Sequence, residues 1–151
     1  MASETLVQIQ IGGADVAIIG GEVCAVPFPP PSATTWLPKM HLGKIRFIDQ
    51  ASGFILCARG TEPGTQVIVQ PPGFAVAVNQ WLLTRYGDSG DGPVPVEDPG
   101  QLETGFYAIR EPDTGQYLYR SRAEDLSMRP KAVALQPGDL DQCPLILRVS
   151  R

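Results

Sequence analysis

The feature that most limits how this chain can fold is an internal repeat. Residues 43–86 carry four short apolar runs with turn residues between them. Gly43-Lys44-Ile45-Arg46-Phe47-Ile48 alternates apolar and polar at period two, and Gln50-Ala51-Ser52-Gly53 closes it with a turn. Phe54-Ile55-Leu56-Cys57, then Gln66-Val67-Ile68-Val69-Gln70, then Trp81-Leu82-Leu83-Thr84-Arg85-Tyr86 follow. Short alternating runs bounded by Gly, Pro and Ser are strand signals. The order returns near the C-terminus. Gly105-Phe106-Tyr107-Ala108-Ile109-Arg110 matches the first run, and Gly115 follows Gly105 by ten residues, as Gly53 follows Gly43. Gln116-Tyr117-Leu118-Tyr119 takes the second place and Ala132-Val133-Ala134-Leu135-Gln136-Pro137 the third. Pro144-Leu145-Ile146-Leu147-Arg148-Val149 takes the fourth, with Arg148 on Arg85. Four elements in one order at similar spacing are the mark of a repeat.

The N-terminal segment reads as a third copy with compressed turns. Leu6-Val7-Gln8-Ile9-Gln10-Ile11 alternates, Gly12-Gly13 turns, and Val16-Ala17-Ile18-Ile19 and Val23-Cys24-Ala25-Val26-Pro27 supply the next runs. Trp36-Leu37 answers Trp81-Leu82. Three copies of a four-strand unit resemble a β-trefoil. In that fold no unit covers its own apolar face; three together close a barrel, cap its base with hairpins and remove sheet edges. The expectation is an all-β, pseudo-threefold single domain over 1–151. Its copies lie at roughly 4–40, 43–88 and 103–151, with a linker at 87–104.

Composition agrees and narrows the function. Hydrophobic residues are 43% of the chain, enough for a real core, while Gly and Pro are spread between the runs as turns require. The net charge is −4 and no Lys/Arg cluster is expected, so neither is a nucleic-acid partner. No stretch approaches a membrane span, so no membrane partner is expected. Met1-Ala2-Ser3-Glu4-Thr5 lacks a basic start and an apolar run, which points to a cytoplasmic or non-classically released protein. Cys24, Cys57 and Cys143 are an odd number, and the first two sit in apolar runs as small buried hydrophobes. His41 is the only histidine, so neither a metal nor any other cofactor is expected. There is no Gly-rich phosphate loop, no Cys-x-x-Cys and no activated thiol, so the chain is not expected to be an enzyme. The acidic segment around Asp88 and Asp91 does not have calcium-loop spacing.

Three stretches resemble protease inhibitors built on this fold. Lys44-Ile45-Arg46-Phe47-Ile48 resembles the Arg-Ile-Arg-Phe-Ile run of the plant Kunitz-type trypsin inhibitors. That resemblance implies a reactive bond at Lys44-Ile45, on the loop entering the second copy, with Lys39-Met40 in the bulge ahead of it as a second cationic tip. Ile19-Gly20-Gly21-Glu22-Val23, with the Pro-rich stretch ahead of Trp36, is similar to the mycocypins. Those fungal inhibitors of papain-like proteases carry a Gly-Gly loop thin enough for a narrow cleft. Glu124-Asp125, Ser127, Pro130-Lys131, Val133 and Leu135 look like a stretch of the cospin-type mushroom serine-protease inhibitors, which adds Arg122 and Ala123 as secondary loop candidates. For each lysine taken alone, the plainer reading is a solvated surface residue. For the glycines it is turns that need positive φ.

The leading expectation is a monomeric inhibitor of trypsin-like serine proteases. A rigid barrel holds its loops in place beforehand, so docking costs little entropy. A lysine then enters a specificity pocket floored by an aspartate. A papain-like target reached through Gly20 and Gly21 is one alternative. A lectin is the other: Asn79-Gln80-Trp81 is near the Gln-x-Trp motif of ricin-type trefoils without matching it, and Asp49, Asp113 and Asp141 are candidate sugar donors.

Overall fold

The computed structural model describes residues 4–27, 32–73, 78–86, 94–120, 131–137 and 145–150. The first copy forms β1 (Leu6–Ile11), β2 (Ala14–Ile19), β3 (Glu22–Val26) and β4 (Trp36–His41). The second forms β5 (Lys44–Asp49), β6 (Ile55–Ala58), β7 (Val67–Gln70) and β8 (Leu82–Arg85). After a short β9 (Val94–Pro95) and a 3-10 turn (Pro99–Gln101), the third forms β10 (Gly105–Arg110), β11 (Tyr117–Arg120), β12 (Lys131–Gln136) and β13 (Leu145–Ser150). Strand burial follows the alternation seen in the sequence: β1 and β5 both bury every second residue.

Six strands close a ring. β1 pairs β4 and β13, β4 pairs β5, β10 pairs β13 and β8, and β5 meets β8 through Ile45 and Trp81. All of these pairs are antiparallel, and the ring leaves no free barrel edge. Within each copy the first and fourth strands share an equivalent rung: Val7 with Trp36, Ile45 with Trp81, and Tyr107 with Leu145. All six side chains are buried, so this rung is a threefold layer across the barrel. The Ile45–Trp81 rung exchanges both backbone bonds at 2.8 Å.

Besides β9, the remaining strands form the hairpins β2–β3, β6–β7 and β11–β12. They meet in a triangle. Glu22 pairs Ile68, Gln66 pairs Ala134, and Lys131 and Ala132 pair Ala25 and Cys24. The pseudo-threefold barrel and its hairpin cap are those of a β-trefoil.

The turns from barrel to cap show how the copies diverge. In the second copy Asp49 folds back on Ala51 N–H at 3.2 Å and Ser52 Oγ at 2.7 Å, and Gly53, at φ 80°, donates its N–H to Asp49 O. In the third, buried Glu111 accepts from Asp113 N–H at 2.9 Å and from the N–H and hydroxyl of Thr114, with Gly115 at φ 77°. The first copy has no such acid: Gly12-Gly13 turns at φ 57° and 83° instead. The segment expected to be a plain linker does more than connect. Its β9 pairs β8, its 3-10 turn packs against β4, and Val96 and Leu102 enter the core.

Candidate functional site

β4 and β5 run as one hairpin with a full ladder from Trp36–Asp49 to His41–Lys44. Its two-residue turn is Leu42-Gly43, at φ 52° and 79°. Two consecutive positive φ values make the type I′ geometry whose twist suits antiparallel strands, normally supplied by Asn-Gly. Here the first position holds a leucine, which is the one described non-glycine residue with positive φ. A left-handed conformation costs an L-residue about 1–2 kcal/mol. The side chain recovers little of this by packing, because Leu42 is 89% exposed. A strained backbone under an unburied leucine, at the tip of a rigid hairpin, is the outlier of this surface.

The two faces of the hairpin differ sharply. Pro38 opposite Phe47, and Met40 opposite Ile45, face the core, where Phe47 and Ile45 are buried. The other face therefore carries Lys39 opposite Arg46 and His41 opposite Lys44. Lys39 and His41 are exposed; Lys44 and Arg46 are half-buried. Like charges directly across a ladder destabilise a hairpin, and Lys39 faces Arg46 at one rung, with the imidazole of His41 facing Lys44 at the next. Residues 35–48 contain no Asp or Glu. Among the described residues the ion pairs are Arg85–Glu103 at 3.2 Å and Arg148–Asp15 at 3.3 Å, neither on this hairpin. The Nε of Arg46 is buried with no hydrogen-bond partner among the described residues. The folded chain thus gathers a basic face that its linear order does not show, because pairing stacks residues 39, 41, 44 and 46.

These positions revise the reading of the reactive bond. Lys44 and Ile45 were expected on an extended loop, as were Lys39 and Met40; all four lie inside the β4–β5 ladder. Ile45 is buried, its N–H bonds Trp81 O, and its own O accepts from Trp81 N–H. A bond so placed is closed to a protease, because the side chain that follows it points into the core and the N–H of the bond itself, that of Ile45, is already donated to Trp81 O. The lysine side chains remain available; the Lys44–Ile45 peptide does not. Gly20 and Gly21 form the exposed β2–β3 tip at φ 59° and 82°. They border a groove of about 490 Å³ shared with Glu22, Arg59 and Gln66, where Gln66 Nε2 donates to Glu22 Oε2 at 3.3 Å. Arg122 and Ala123 lie outside the described residues, as does Asp141.

Other candidates resolve into structure. Trp36 and Trp81 are both fully buried, and Trp81 Nε1 donates to Leu56 O at 3.1 Å, so neither is a sugar platform. Asp49 is buried and occupied by its own turn. Burial pushes the Cys57 thiol up to about 11, and burial followed by nearby Glu22 raises Cys24, so nothing around either thiol activates it. No group of three or more metal-ligating side chains occurs among the described residues. No described helix is long and apolar enough to cross a membrane.

No family model and no curated protein matches the sequence. Solved structures do match. The designed threefold symmetric protein ThreeFoil superposes with a TM-score of 0.68 at 15% identity, covering 97% of this chain and 98% of its own. The SDF2-like protein of Arabidopsis thaliana gives 0.64 at 11% identity, over 98% and 93%. The Haemophilus ducreyi cytolethal distending toxin gives 0.63 at 14% identity, over 96% and 82%. At these identities the likeness establishes the shared fold and nothing about activity.

Proposed function

We propose that this β-trefoil is a non-catalytic inhibitor of a trypsin-like serine protease, and that the β4–β5 hairpin is the element it docks. The observation that carries the reading is the tip itself. An exposed leucine is held in a strained turn by a barrel-anchored ladder, with Lys39 and Lys44 beside it. Strain and like-charge pairing lower the stability of the free protein, and a partner that accepts the tip offsets both. The resemblance of Lys44-Ile45-Arg46-Phe47-Ile48 to the Kunitz-type inhibitors supplies the target class. Docking is by side chain: a lysine fills the acidic specificity pocket while Leu42 packs on its rim, and the Lys44–Ile45 bond stays in its ladder. Because the hairpin is already ordered, little entropy is lost on binding. A stable complex of this kind buries roughly 800 Å² per partner, more than a tip alone provides, so the flanking surface must share the contact.

The test is a titration of trypsin and of papain with the intact protein, followed by residual activity. Loss of trypsin activity supports the reading. Loss with papain alone transfers the role to Gly20-Gly21, and no loss with either rejects inhibition of both classes. If trypsin is inhibited, Lys44→Ala and Lys39→Ala are compared with Arg122→Ala. The expected result is a large loss at one of the first two, and equal potency of both with the wild type would reject the hairpin as the docking element.

A further inference from the structure

The outward face of the β4–β5 hairpin has a second chemical reading, independent of any protease. The face is a two-by-two array of basic side chains: Lys39 and Arg46 on one rung, His41 and Lys44 on the next. Alternate residues of a strand are about 7 Å apart, so the array is small and dense. Beyond it, at the outermost point, stands Leu42. Charge and apolarity are therefore ordered along the hairpin: apolar tip, first basic rung, second basic rung. In a protein of net charge −4 with 16 Asp and Glu, this hairpin brings four basic side chains together, among the described residues, without an acid between them. Glu97 and Asp98, beside the 3-10 turn that packs on β4, form no ion pair with it among the described residues, and Asp98 is turned to cap Gly100 N–H at 2.9 Å.

We propose, against the sequence-based expectation of no membrane partner, that this hairpin binds anionic lipid surfaces tip first. Leu42 enters the boundary between headgroups and acyl chains, and the basic rungs lie among the lipid phosphates and carboxylates. A lone apolar tip with cations behind it on one face matches the layering of such a surface, where apolar burial and attraction to anionic headgroups act together. The second rung sits about 7 Å behind the first; the long stem of exposed Lys39 reaches forward to the same headgroup level, while half-buried Arg46, its Nε enclosed, adds its charge from behind. A nucleic acid or a sulfated polysaccharide would use the cations equally well but would give Leu42 nothing to enter. The ladder keeps the tip rigid, so insertion orders no new backbone. With one leucine and a few cations, binding is weak and reversible, and it falls off as salt screens the charges.

The experiment is co-sedimentation of the whole protein, at millimolar lipid and low salt, with phosphatidylcholine vesicles and with vesicles that also contain phosphatidylserine. Binding is expected to the mixed vesicles and not to phosphatidylcholine alone, and to fade at high salt. Lys39→Gln and Lys44→Gln are each expected to lower the partition roughly five-fold, the ~1 kcal/mol that a basic residue contributes near an anionic surface. Leu42→Asn is expected to lower it roughly ten-fold with the fold intact, as its thermal melt will show. Arg59→Gln removes an exposed cation elsewhere and is expected to leave binding unchanged. No sedimentation with the mixed vesicles, or equal sedimentation with both kinds, overturns the proposal. So does an Arg59→Gln loss as large as the Lys39→Gln loss. Retention by Leu42→Asn together with capture on a heparin column would assign the face to polyanions in general, and would also overturn it. Trypsin inhibition measured on the same samples is separate, so failure of either reading leaves the other standing or falling on its own result.

Discussion

Replacing Leu42 with asparagine should make the protein more stable and less able to bind. Leucine at φ 52° pays about 1–2 kcal/mol that asparagine, at home in the left-handed region, largely avoids. Full burial of a leucine contributes about 1.5–3 kcal/mol. At 89% exposure only about a tenth of that is lost, a few tenths of a kcal/mol. The net expectation is a gain of about 1 kcal/mol, or about 2–4 °C in Tm for a chain of 151 residues. Urea unfolding reads it as a higher midpoint at unchanged slope. Gly43→Ala is the mirror control. Nothing lies within 4 Å of the added Cβ, so its expected loss of about 1 kcal/mol comes from φ 79° alone. If Leu42→Asn is neutral or destabilising while Gly43→Ala behaves as expected, the leucine is held by packing, and its case as a binding residue falls.

Two further outcomes follow from the buried groups. Burial opposes ionisation of Glu111, but the hydroxyl and N–H of Thr114 and the N–H groups of Asp113 and Gly115 outweigh it and hold the carboxyl below its ordinary 4.5. A carboxylate whose value is lower when folded stabilises above the unfolded value, and that stability is lost as pH falls below about 4.5. Glu111→Gln should therefore flatten the acid limb of a stability-versus-pH curve, and an unchanged limb would remove Glu111 from the account. With the Cys57 thiol pushed up to about 11 and Cys24 also raised, neither should react with a thiol reagent at pH 8 until urea unfolds the chain. Rapid labelling of either in the native protein would show that its site opens to solvent.

The fold was legible because each strand announces itself twice, once by its own alternation and once by its counterparts in the other copies. Gly53 and Gly115 are the clearest case. Their equal spacing from Gly43 and Gly105 corresponds to equal turns at φ 80° and 77°, each closed by an acid at the end of the preceding strand. The matched tryptophans likewise fall on matched rungs. The candidate site was only half legible. Lys39 and Lys44 stood out as cations, but a one-dimensional reading could not tell a loop from a tight hairpin. Leu42-Gly43 lacks the Asn-Gly signature of a type I′ turn, so the turn passed unnoticed. The basic face was missed for a related reason. Residues 39, 41, 44 and 46 are interleaved with apolar neighbours, and they form a cluster only after pairing puts both rungs on one side. The period-two placement of the cations on either side of Leu42-Gly43 was the available signal.

The claim on which the account rests is that the barrel serves to hold one hairpin tip toward a partner. The most direct measurement replaces that tip while leaving the turn: Lys39→Thr, His41→Ser, Leu42→Asn and Lys44→Thr around an unchanged Gly43, with trypsin titrated by the wild type and by this variant. The account expects a melt at least as high as the wild type and no remaining inhibition. Inhibition that persists in the folded variant would place the binding surface elsewhere on the trefoil.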